Sequence, residues 1–129
     1  KVNEYMPTYI CERINDKIPL NNKRIGILGY TFKKDSDDTR DSLVEKLIRY
    51  IERYVPKNIC INEPNLIEKK INSYLNMDIK KLVKNSDIII IAINHKQYDK
   101  KMINLIKKKT WIVDIWNCLN TNKFIYQKK

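Results

Sequence analysis

The chain has 129 residues, 43% of them hydrophobic and 32% charged, with a formal net charge of +11. That is the size and composition of one folded domain, not of a disordered or fibrous chain. The longest apolar run, Ile88–Ile93, is far too short to span a bilayer, and nothing at the start resembles a secretion signal, so a cytoplasmic protein with no membrane partner is expected. Cys11, Cys60 and Cys118 are odd in number and widely spaced, which excludes a CxxC metal or redox pair and suits three reduced thiols.

Residues 1–18 predict a helix, with apolar side chains at Val2, Tyr5, Met6, Tyr9, Ile10 and Ile14. Pro7 either kinks it or marks its first turn. A short apolar strand, 23–29, ends at Gly29. The polar, acidic segment 33–41 follows. Next comes an amphipathic helix from Leu43 to Tyr54, with Ser42 and Glu45 forming a capping box at its start. Asn58–Asn62 reads as a second strand, and residues 65–77 are ambiguous. A short helix opens near Asp78. Ile88–Ile93 is apolar throughout, as befits a strand buried on both faces. Tyr98, Met102, Leu105 and Ile106 predict another helix, Trp111–Asp114 a fourth strand, and the last residues a loop or frayed helix.

Strands alternating with helices predict an α/β fold, a Rossmann-like three-layer sandwich with a mainly parallel sheet, preceded by an N-terminal linker helix. Ligands of such sheets sit at the carboxyl ends of the strands. Those ends are Gly29–Lys33, Asn62–Pro64, Asn94–His95 and Asp114–Asn117. Gly26 and Gly29 are the only glycines, so the G-x-G-x-x-G fingerprint is incomplete and this sheet is not expected to be the main NAD site. Asp35-x-Asp37-x-Thr39 matches an aspartyl-phosphatase pattern but lies too far beyond the strand. A phospho-acceptor domain would use Asp114, whose acidic partners are missing. His95 and the aromatics Trp111 and Trp116 are read as structural, core or rim. The net charge admits a nucleic-acid module, but the lysines at 96, 100, 101 and 107–109 look like the solvated face of a helix, and nucleic acid is not expected.

The segment Gly29–Ser42 sets Phe32, Lys33, Asp38, Arg40 and Ser42 in the pattern G-x-x-F-K-x-x-x-x-D-x-R-x-S. It resembles the signature of the UDP-glucose/GDP-mannose dehydrogenase family, in its C-terminal domain. Asn62-Glu63-Pro64 is similar to the family's strand-end Y-D-P, with Glu for Asp. Val2-Asn3-Glu4 through Tyr9 resembles the end of the linker helix, giving domains 1–20 (linker) and 21–129 (UDP-binding).

The resemblance implies an NAD-dependent UDP-sugar 6-dehydrogenase that oxidises the C6 hydroxyl to a carboxylate for polysaccharide precursors. Its partners would be a UDP-sugar and the N-terminal NAD-binding domain, and the full-length protein would be a homodimer. It assigns Tyr30, Phe32 and Lys33 to the substrate, Arg40 to the NAD cofactor across the cleft, and Asp38 to orienting the loop. No catalytic residue lies in this chain, because none of its cysteines matches the family nucleophile, and the chain alone is expected to be inactive. Trp116 stands where UDP-glucose enzymes often have Arg. Ala92–Tyr98 resembles the form seen in enzymes of UDP-N-acetylhexosamines, which favours an N-acetylated sugar.

Overall fold

The computed structural model describes residues 5–30 and 43–129. The expected 1–18 helix is described over Tyr5–Lys17 as α1, which includes Pro7 among its buried residues. Strand β1 (Arg24–Leu28) leads to α2 (Leu43–Glu52), which stops short of Pro56. Then follow β2 (Asn58–Asn62), β3 (Lys70–Ile71), β4 (Tyr74–Asn76), α3 (Ile79–Lys84), β5 (Ile88–Ile91), a 3-10 helix (Lys100–Leu105), β6 (Trp111–Asp114) and β7 (Ile125–Gln127).

Among the described residues, these seven strands form one sheet in the order β3-β4-β2-β1-β5-β6-β7. Pairings within β4-β2-β1-β5-β6 are parallel, while β3 and β7 are antiparallel additions at the two edges. The α/β, mainly parallel architecture is therefore the one expected. No described helix is long and apolar enough to cross a membrane.

β5 shows why the sheet is covered twice. Its four isoleucines alternate: Ile88 and Ile90 enter the core beneath α1 and α2, Ile89 and Ile91 the core beneath α3 and the 3-10 helix, and all four are fully buried. α1 contributes Ile10, Cys11 and Ile14 to the first of these cores. Burial pushes the Cys11 thiol up to about 11. Gly26 lets α3 approach β1: an added Cβ would lie 2.4 Å from Ser86 Oγ and 2.5 Å from Leu82 Cδ2.

Three expectations need correcting. The ambiguous 65–77 region holds the β3–β4 hairpin, whose two-residue turn sets Asn72 (φ 49°) and Ser73 (φ 76°) in the left-handed region. The helix expected around Tyr98–Ile106 is a short 3-10 helix, opened by Asp99 accepting from the N–H groups of Lys101 and Met102. The C-terminal residues supply β7, with Ile125 opposite Val113.

Candidate functional site

The parallel part of the sheet reverses its strand order between β1 and β5, and ligands of such sheets sit beyond the carboxyl ends of the strands at that point. Four segments meet there: Gly29–Tyr30 after β1, Glu63–Asn65 after β2, Ala92–His95 after β5 and Ile115–Cys118 after β6. The chain turns at Gly29 with φ +97°, and its N–H donates to the Asn62 carbonyl at 2.7 Å. A side chain here would meet strain twice, since an added Cβ would lie 2.6 Å from Ile93 Cβ.

The centre of this edge is Glu63, 2% exposed. Its Oε1 accepts from the Tyr30 N–H and its Oε2 from the Asn65 N–H, both at 2.8 Å. His95 Nε2 stands 3.3 Å from both carboxylate oxygens. The Glu63 N–H donates to Asn76 Oδ1 at 2.8 Å, and Asn76 Nδ2 donates to the carbonyls of Leu66 and Glu68, so the hairpin holds the turn after β2. The Tyr98 hydroxyl is shared between the Asn62 carbonyl (2.8 Å) and Asn62 Oδ1 (2.7 Å), and its ring meets that of His95 edge-on. Burial raises the Tyr98 phenol far above its usual value, so it stays a donor.

Trp116 donates its indole N–H to the Ala92 carbonyl at 2.7 Å while its ring stays 41% exposed, an aromatic plane at the rim of β5 and β6. Asp114 is buried and consumed by the turn after β6, accepting from the N–H groups of Cys118 and Leu119. That use leaves it no acceptor role for a phosphoryl group. Burial is also the chief reason the Cys118 thiol rises to about 11. A groove of about 480 Å³ adjoins the edge between Pro64, Asp78, Asp99 and Leu105. Its floor is apolar and both carboxylates are used as helix caps, so Lys101 is the one cation it offers an anion among its lining residues.

Of the residues singled out by sequence, Tyr30 lies at the end of β1. Its ring is 3% exposed and turned into the core, where the hydroxyl donates to Glu45 Oε1 (3.2 Å) and accepts from Asn72 Nδ2 (2.6 Å). Only its backbone is left at the carboxyl edge. Phe32, Lys33, Asp38, Arg40, the Ser42 cap and the Asp35–Thr39 pattern lie outside the described residues. His95 is at the edge, with Nε2 facing the Glu63 carboxylate. Glu63 was legible only as part of a strand-end motif, because its partners come from three separated segments.

Among the described residues no cluster of His, Cys, Asp and Glu suits a metal. Gly26 is taken up by packing against Ser86 and Leu82, and Gly29 by the turn after β1. The lysine-rich stretch 96–109 is exposed at all six lysines, but its sole aromatic, Tyr98, is buried.

The family profile described as "UDP-glucose/GDP-mannose dehydrogenase family, UDP binding domain" matches residues 26–121. Among similar curated proteins, the UDP-N-acetyl-D-mannosamine dehydrogenase of Methanococcus vannielii is 28% identical over 132 residues, covering 95% of this chain and 30% of that protein. Protein CapL of Staphylococcus aureus is 25% identical, covering 95% of this chain and 31% of that protein. The chain thus spans under a third of the length of these relatives. Among solved structures, a UDP-glucose dehydrogenase from Pyrobaculum islandicum superimposes with a TM-score of 0.66 at 28% identity, covering 87% of this chain and 26% of that one. A ternary complex of GDP-mannose dehydrogenase from a Pseudomonas shares the fold with a TM-score of 0.69 at 20% identity, covering 94% of this chain and 30% of that one.

Proposed function

The chain belongs to the UDP-glucose/GDP-mannose dehydrogenase family as its UDP binding domain, and from that premise we propose that it holds the nucleotide sugar for an NAD-dependent UDP-sugar 6-dehydrogenase. The observation that carries this reading is the match over residues 26–121 to a chain whose signature segment leaves β1 at the point where the strand order reverses. In this reading, residues 1–20 end a linker helix and residues 21–129 form the binding domain. Lys33 contacts the diphosphate, with Phe32 and the backbone of Tyr30 beside the nucleotide. Arg40 reaches across the cleft to NAD, and Asp38 orients the loop.

NAD and the nucleophilic cysteine belong to the rest of the enzyme, so this domain binds and orients the UDP-sugar and performs no oxidation alone. In the complete enzyme the C6 hydroxymethyl becomes a carboxylate as two NAD are reduced, and the product suits polysaccharide precursor synthesis in the cytoplasm. The sugar is an N-acetylated hexosamine. Several curated relatives are named UDP-N-acetyl-D-mannosamine dehydrogenases, and Trp116 gives the carboxyl edge an exposed aromatic rim in place of a cation.

The test is calorimetric titration of the chain with UDP, followed by NADH formation in the complete enzyme offered UDP-glucose, UDP-N-acetylglucosamine and UDP-N-acetylmannosamine separately. UDP binding and turnover of an N-acetylated sugar are expected. A folded chain that ignores UDP, in an enzyme that reduces no NAD with any of the three, defeats the reading.

A further inference from the structure

A fully buried carboxylate is costly unless it is hydrogen-bonded and paired, so its place in a fold calls for a reason. The Glu63 side chain is 0% exposed, and its two oxygens are divided between segments that sequence keeps apart. One oxygen holds the Tyr30 N–H, 33 positions away, at the exit of β1. The other holds the Asn65 N–H in the turn after β2. Both face His95, beyond β5, whose ring is 12% exposed. One side chain therefore ties together three strand ends at the switch point.

The amides it binds would otherwise be free to turn toward a ligand or water. Their capture sets the direction in which the chain leaves β1 and the separation of the β1, β2 and β5 edges. We infer that Glu63 is a positioning residue for nucleoside-diphosphate binding: its buried carboxylate fixes the Tyr30, Asn65 and His95 segments at the spacing the ligand requires, without touching the ligand. The inference rests on the reading of this domain as the UDP-holding part of the enzyme.

Glu63→Gln is the informative change, because it keeps the shape and one acceptor for Tyr30 but turns an N–H₂ toward the Asn65 N–H. The chain and its variant are titrated with UDP, and their thermal unfolding is followed in parallel. In the complete enzyme, KM for the UDP-sugar and kcat are measured separately. The variant is expected to bind UDP about tenfold more weakly, because the released Asn65 turn must be reordered when the ligand binds. The same factor should appear in KM with kcat nearly unchanged, a split that a loss of folded protein does not produce.

A wild-type chain that binds UDP beside a variant that binds it equally overturns the inference and leaves the UDP reading intact. A wild-type chain blind to UDP overturns both. A second measurement needs no variant. UDP should slow hydrogen exchange at the amides of Tyr30 and Asn65 together in the wild-type chain. UDP binding that leaves both rates unchanged overturns the inference even where Glu63→Gln does not fold.

Discussion

An acid–base pair clamps each end of the central sheet, Arg24–Asp87 across β1 and β5 at the amino end and Glu63–His95 across the ends of β2 and β5 at the carboxyl end, and the two are built differently. At the amino end, Asp87 accepts from the Arg24 N–H (2.8 Å), from Nε (3.3 Å) and from Nη2 (3.0 Å), and the two side chains remain 35% and 36% exposed. At the carboxyl end, Glu63 and His95 are 0% and 12% exposed. Water screens the first pair, so it contributes little and breaks cheaply. The second is dry, so its removal strands polar groups that water cannot reach. The fold spends a buried charge on the edge where ligands of this architecture sit and a solvated one on the edge where they do not. Cost of burial, rather than number of contacts, separates the two ends.

Breaking the buried clamp should have the largest effect. Glu63→Ala leaves the Tyr30 and Asn65 amides without acceptors, and about 3 kcal/mol of stability should be lost in denaturant or thermal unfolding. Gly29→Ala comes next at about 2–3 kcal/mol, since it forces a side chain into φ +97° and against Ile93. If it costs nothing, the carboxyl edge is looser than its buried carboxylate implies. Lys33→Ala tests the ligand side of the same edge: UDP affinity should fall by roughly 1.5–3 kcal/mol in calorimetry, with the melting temperature unmoved.

Asp87→Asn should be the mildest, at most about 1 kcal/mol at neutral pH. Its signature lies in acid. The hydrogen bond from Arg24 is the main reason the Asp87 carboxyl is held below the usual carboxylate range. A depressed folded-state value means the contribution is fully present above about pH 4 and is lost as the pH falls through the lowered value. The variant's unfolding free energy should therefore converge on that of the parent as the pH falls from about 4 through the lowered value, and a gap that does not narrow over that fall breaks the comparison.

Much of the fold was readable because its central strands are unmistakable. Four consecutive isoleucines in β5 and the short apolar runs of β1, β2 and β6 have no competing helical period. The edges were not readable. The β3–β4 turn is Asn72-Ser73, without the Asn-Gly or Asp-Gly signal that marks such hairpins, and its strands have two and three residues. β7 is three residues long and takes its shape from β6. The helix expected near Met102 fails because six residues capped by Asp99 are too few to fix an α-helical period. Of the site, Tyr30 was found as a position but not as a buried ring, since only the fold brings Glu45 and Asn72 to its hydroxyl. Glu63 is invisible as a hub in one dimension for the same reason.

The two outermost strands carry a consequence for how copies of this chain meet. An open sheet invites a neighbour's backbone onto its free edge, and long flat edges seed aggregates. Here one edge ends on the two-residue β3, which begins with Lys70 and is flanked by Lys69, and the other on the three-residue β7, followed by Lys128 and Lys129. Among the described residues each edge strand is short and has exposed lysines beside it, Lys69 and Lys70 at one and Lys129 at the other, so two identical edges repel before they can pair. The lysines that look unassigned from composition thus help keep the chain colloidally stable at high concentration, and salt that screens them should be the first condition under which it begins to self-associate.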